Sequence, residues 1–138
     1  MQEEQNTKIV QAGYAAFGSR NIPALLDLLD DSIVWQGVVG SSPEVLTSGV
    51  RNGKAAVAEF FKVIAEHQTF NAFEPRQFVA QGDTVVVLGH YDVTHNATGG
   101  RVDSDWVMVF KVTNGKIVRF QEFSDSAAVN AAWNVKAA

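Results

Sequence analysis

Cysteine is missing from all 138 residues, so the chain offers no disulfide, no thiol nucleophile and no thiolate metal site. A cytoplasmic setting fits that absence. No apolar stretch approaches the roughly 18 residues that a membrane-crossing helix needs. The first residues, MQEEQNTKIVQAGY, have neither the basic start nor the apolar run of a secretory signal. Excess charge is also small. A formal net charge of -4 argues against nucleic acid or an anionic membrane as the main partner. The three histidines, His67, His90 and His95, have no metal-site spacing, so no metal is expected. Internal repeats and low-complexity segments are lacking too.

What is present is apolar mass. Hydrophobic residues make up 46% of the chain and aromatics 10%, enough for a sizeable core in one domain spanning 1–138. Residues 3–18 read as a helix, because Ile9, Ala12, Gly13, Ala16 and Phe17 recur at helical spacing. Asn21 reads as the N-cap of a second short helix with Pro23 in its first turn and Ile22, Leu25, Leu28 and Leu29 on its buried face. Asp30-Asp31-Ser32 ends it, and Ser-Ile-Val-Trp starts a short strand. Residues 40–53 read as loop. Residues 54–66 form a third helix, with Val57, Phe60, Phe61 and Ile64 on one face.

From Phe70 the character changes. Segments near 70–80, 84–96, 102–112 and 116–124 are rich in Val, Phe, Tyr and Trp and are separated by QGD, ATGG and TNG, which are hairpin signals. A last short helix fits Ala127–Trp133. Helices followed by an antiparallel meander predict an α+β fold, with N-terminal helices on one face of a curved, mainly antiparallel sheet. The order is not βαβ, so no dinucleotide cofactor is implied.

Alternation decides which side chains meet the core. In 102–112 the even residues Val102, Ser104, Trp106, Met108, Phe110 and Val112 form the inward face. In 84–96 the odd residues Val85, Val87, Gly89, Tyr91 and Val93 are the apolar set. A two-residue Gly99-Gly100 loop places Tyr91 opposite Met108, and His95 opposite Ser104 near the rim, with His90 and Asp92 outward. The TNG turn admits two registers. A three-residue loop pairs Val112 with Lys116, puts Trp106 opposite Glu122 and Met108 opposite Phe120, and turns Glu122 inward. A two-residue Asn-Gly turn pairs Thr113 with Lys116, turns Gln121 inward and leaves Glu122 as a surface charge. The first register is preferred because it keeps Arg119 in solvent.

The stretches YAAFGSRNIPALLDLLDDSIVW, SGVRNGKAAVAEFFKVI and VMVFKVTNGKIVRFQEFSD resemble the nuclear transport factor 2-like superfamily, in particular its SnoaL-like polyketide cyclase and ketosteroid isomerase branch. The resemblance implies a cone in which three helices close over a bent sheet and leave a deep apolar pocket, and many such proteins pair through the outer sheet face. It also maps residues. The isomerase general base falls at Gln36-Gly37, its oxyanion-hole acid on Met108, and its oxyanion-hole tyrosine nearest Gly13, with Tyr14 one position away. The cyclase acid/base carboxylate, in a GKI-x-x-x-x-D arrangement, falls on Glu122. His90-Tyr91-Asp92 has the spacing of the Arg-x-Asp pair of the limonene epoxide hydrolase branch.

Glu122 is therefore the candidate catalytic residue. A carboxylate in apolar surroundings has a raised pKa and suits acid/base work, against the alternative of a solvated strand-end charge. Tyr14, Trp35, Phe60, Tyr91, His95, Trp106, Met108 and Phe120 are the candidate substrate-binding residues, against plain core packing. The expected ligand is a small apolar or oxygenated molecule, the expected chemistry cyclisation, isomerisation or hydration, and the expected cofactor none. A non-catalytic ligand-binding or dimerising module is the alternative. Val107 and Val109, apolar and outward on a central strand, predict a homodimer.

Overall fold

The computed structural model describes residues 1–134; the domain bounds expected above, 1–138, run past them. Helix α1 spans Gln2–Gly18 and α2 spans Ile22–Asp27, with the Asn21 side chain accepting from Ala24 N at 3.2 Å and Pro23 in the first turn. Strand β1 spans Leu29–Gln36, β2 Val50–Asn52, helix α3 Lys54–His67, strands β3 Gln68–Gln81, β4 Thr84–His95, β5 Arg101–Thr113 and β6 Lys116–Phe123, and helix α4 Ser126–Ala132. Each expected element forms. Two departures are local. The strand after α2 starts at Leu29 rather than Ser32, because Leu29 pairs with Ile117. The stretch read as loop contains β2, which pairs antiparallel with the end of β1.

The six strands form one mixed sheet in the order β2-β1-β6-β5-β4-β3. The meander β3–β6 is antiparallel, as alternation and turn residues require, and β1 joins it parallel to β6. Register shifts between Phe70 and Ala72, Pro75 and Gln77, and Lys111 and Val112 mark bulges, which bend a strand and sharpen its twist. The sheet curls without closing, and α1 and α3 pack in the concavity.

Two registers differ from expectation, and both keep the parity. At TNG the chain takes the two-residue turn. Asn114 and Gly115 have φ of 51° and 79°, and Thr113 pairs with Lys116. That turn alone would face Glu122 outward. However, Val118 is an extra residue in β6: Val112 pairs with Ile117 but Lys111 pairs with Arg119. The bulge restores the inward phase, so Glu122 faces inward opposite Met108, not Trp106.

In the β4–β5 hairpin, Thr94 pairs with Arg101 and His95 N donates to Gly100 O at 2.8 Å. The loop is longer than two residues, and the ladder is slid by four positions from the expected one. Tyr91 thus pairs with Ser104, and Gly89 with Trp106. Glycine is needed at 89, since a Cβ there would run into the Trp106 ring and the Glu74 carbonyl.

The core lies between the concave face and the helices. Trp106 is 1% exposed and stacks at centroid distances of 5.4 Å on Phe73 and 5.9 Å on Tyr14. No helix among the described residues is long and apolar enough to cross a membrane.

Candidate functional site

Between α1, α3 and the concave face lies an apolar cavity of about 110 Å³. Seven of the nine expected site residues border it: Glu122, Tyr14, Trp35, Phe60, Tyr91, Met108 and Phe120. Strand parity explains the sheet's share, because Trp35, Tyr91, Met108, Phe120 and Glu122 occupy inward positions on four strands. Trp35 lies flat on Phe120 at 3.8 Å and edge-on to Phe61 at 5.4 Å, so the wall opposite α1 is a fixed aromatic surface.

Trp106 and His95 lie outside this wall. The Trp106 ring sits over the Gly89 gap behind Tyr14 and Phe73. His95 was expected near the rim. The slid register buries it instead, 6% exposed, with Trp133 at 4.0 Å and Thr98 Oγ1 3.2 Å from its Nδ1. Burial lowers its pKa, with a smaller push from His67.

Glu122 is the polar centre of the cavity. It is 9% exposed and has no cationic partner among the described residues. Burial pushes its pKa up to about 7, and the hydrogen bond from Tyr91 opposes that only in part. The Tyr91 hydroxyl lies 2.9 Å from Glu122 Oε2 and 2.7 Å from Ser124 Oγ. A phenol has one hydrogen. When Tyr91 donates to the carboxylate, the Ser124 hydroxyl donates to Tyr91.

Tyr14 enters from α1, and its hydroxyl donates to Met108 Sδ at 3.1 Å. A thioether is a weak acceptor, so a ligand oxygen can take this donor at little cost. Burial, then the nearby Glu122, raise the Tyr14 pKa and keep the phenol protonated. Tyr14, one position from where the resemblance puts the oxyanion-hole tyrosine, is thus in contact with Met108, where it puts the oxyanion-hole acid.

The mapped isomerase-base positions carry no carboxylate. Gln36 accepts from Gln121 Nε2 at 3.1 Å, and a side chain at Gly37 would run into the Thr47 carbonyl. His90 and Asp92 face outward as the parity predicts. His90 sits between Asp105 and Asp103, and Asp92 pairs with Arg101. Sequence reasoning missed three polar residues. Gln68 borders the cavity from the first position of β3. Thr47, 7% exposed, borders the cavity from the 40–53 loop, where no periodicity signals direction. Ser124 lies just past the end of β6, beyond the reach of strand alternation. Among the described residues no group of three His, Asp or Glu could hold a metal ion.

Residues 10–120 match the family model described as a SnoaL-like domain. An NTF2-like protein from Burkholderia xenovorans LB400 superposes with a TM-score of 0.86 at 30% identity, over 96% of this chain and 98% of that one. An NTF2-like protein of unknown function from Burkholderia pseudomallei superposes with a TM-score of 0.83 at 28% identity, over 93% and 96%. TerC, co-crystallised with polyporic acid, gives a TM-score of 0.83 at 27% identity, over 94% and 98%. No curated protein matches the chain in sequence.

Proposed function

The chain belongs to the SnoaL-like domain family, and from that premise we propose that its cavity takes a small apolar, oxygenated molecule on which Glu122 acts as general acid/base. The observation that carries this reading is a carboxyl group in an aromatic wall with no cation beside it and a pKa raised by burial to about 7. Such a group is half protonated near neutrality and can take or give a proton without a large penalty either way. Tyr14 supplies the second part. Its hydroxyl, held among the described residues by Met108 Sδ alone, orients a substrate oxygen and stabilises charge developing there. Cyclisation, isomerisation and hydration all use this pair of roles. TerC, which carries polyporic acid, lends support to an oxygenated, ring-bearing ligand.

A non-catalytic binding module is the second reading. It is favoured by Gln36-Gly37 and Met108, which leave the mapped isomerase positions without a second carboxyl group. Two measurements separate the readings. An NMR titration of the Glu122 carboxyl, assigned with Glu122→Gln, should give a midpoint near 7; a midpoint in the ordinary exposed range sinks the acid/base role. Acetophenone in D2O then probes proton transfer. Faster exchange of its methyl hydrogens by the parent than by Glu122→Gln supports catalysis. Equal exchange, with the probe bound to both, supports binding alone.

A further inference from the structure

A buried acid/base must regain its proton state after each transfer, and the cavity beside Glu122 is largely apolar. At Tyr91 the wall is polar. Glu122 Oε2, Tyr91 Oη and Ser124 Oγ form an unbroken chain with steps of 2.9 and 2.7 Å. Its inner end is buried on β6, its middle is the 6%-exposed Tyr91 of β4, and its outer end, Ser124, is half-buried where the chain leaves the sheet. Beside Ser124 the exposed Asp125 caps α4, its Oδ1 accepting from Ala128 N at 3.0 Å. This path begins at a carboxyl oxygen, runs through the hydroxyl of Tyr91 in the cavity wall and ends at the half-buried Ser124.

We propose that Tyr91 and Ser124 are a proton relay that connects Glu122 to solvent through the cavity wall. The inference rests on the acid/base reading of Glu122 given above. The transfer is balanced at every oxygen. The Glu122 proton passes to Tyr91 Oη as the Tyr91 hydrogen passes to Ser124 Oγ and the Ser124 hydrogen passes to water. Each hydroxyl ends with one hydrogen, and only Glu122 has lost one. Reprotonation runs the same steps in reverse. The hops are concerted, because burial and the neighbouring Glu122 raise the Tyr91 pKa and keep a phenolate from accumulating. The groups that face the relay are Glu122 on β6, Tyr14 on α1 and Asp125 at the head of α4. None is a cation, so no fixed positive charge opposes the proton along the path.

Ser124 is the discriminating position, since a hydroxyl that only props up Tyr91 and one that conducts a proton differ in rate. Time-resolved infrared spectroscopy of the Glu122 carboxyl after a pH jump across about 7 reads that rate in the ligand-free protein. Glu122→Gln assigns the band. Ser124→Ala and Tyr91→Phe should each slow protonation by about tenfold or more, a modest share of what a positioned proton-transfer group contributes. Ser124→Thr, which keeps a hydroxyl, should restore the parent rate. Variants that titrate Glu122 near neutrality at the parent rate overturn the relay while leaving the acid/base reading intact. A parent Glu122 that titrates in the ordinary carboxylate range overturns both. Slowing by Ser124→Ala with rescue by Ser124→Thr supports the relay, because a prop would shift the midpoint or the stability rather than the rate.

Discussion

The two faces of strands β4–β6 hold titratable groups of the same kinds in opposite settings. On the concave face Glu122 has aromatic neighbours and one tyrosine hydroxyl. On the convex face, one residue along from Tyr91, His90 sits between Asp105 at 2.8 Å and Asp103 at 2.5 Å, with Asp92 paired to Arg101 and Arg76 to Glu74. Both Glu122 and His90 have raised pKa values, for opposite reasons. Burial penalises the Glu122 anion, while hydrogen bonds donated to Asp105 and Asp103 favour the His90 cation. A group held neutral by lost water is available for chemistry. A group held charged by two partners is already spent on structure.

The largest expected effect tests whether the concave face is a packed surface at all. Trp106→Ala removes a ring that is 1% exposed and clasped by Tyr14 and Phe73 over Gly89. The loss should be about 3–5 kcal/mol, the usual cost of truncating a buried large aromatic. Urea denaturation checks it, and a near-neutral result would show that the inner face is not the load this alternation assigns to it.

Glu122→Gln comes next. Glu122 has a folded pKa near 7 against an ordinary value of 4.5, so the unfolded chain ionises first as pH rises. Its contribution is fully present below about 4.5, declines between there and 7, and is gone above 7. The shift corresponds to about 3 kcal/mol, at about 1.4 kcal/mol per pKa unit. Gln does not ionise. The variant should therefore gain on the parent as pH rises from 5 to 8, by an amount on the order of that figure. Denaturation curves for the two proteins across that range check it; parallel curves would mean Glu122 is solvated.

These two positions also show what was legible in the sequence. Element order, the inward faces of β4 and β5 and the caps at Asn21 and Pro23 follow from period and turn chemistry, which are local. The phase of Glu122 does not, since it depends on the TNG turn and on the bulge at Val118, and each alone reverses the face. The inward assignment holds because the two reversals cancel. His95 shows the opposite outcome. Its parity was readable, but its depth was not. The four-position slide follows from the length of a loop rich in small residues, and α4 covers the site from far along the chain. Thr47 and Ser124 lie where no repeating pattern extends.

The convex face gives the third prediction. Leu88 is 37% exposed and Phe123 39%; Val107 between them and Val109 two residues along β5 are half-buried. We propose that a second copy of the chain covers this row, since contiguous exposed apolar surface marks an interaction site. Sedimentation should give a dimer at micromolar concentration and a monomer for a variant with Val107→Lys and Val109→Lys. A monomeric parent would leave the row uncovered and remove the contrast of a face that is both apolar and shared.

The smallest effect is the sharpest contrast with Glu122. His90 is held by Asp105 first and Asp103 second, while Asp92 on its own strand and Glu74 opposite on β3 are each paired with an arginine. Both ring nitrogens face a carboxylate, so only the imidazolium satisfies both. Its raised folded pKa makes the stabilisation fully present below 6.5 and lost as pH rises through the folded value. The direction with pH matches that of Glu122, but the window is higher and the cause differs. An ion pair at the surface is screened by salt, whereas lost hydration is not. An NMR titration of the His90 ring should therefore show a raised midpoint that falls toward that of a free histidine in high salt, while the Glu122 midpoint stays where it is. If both midpoints move together with salt, the two faces share one electrostatic environment, and burial is not what sets Glu122 apart.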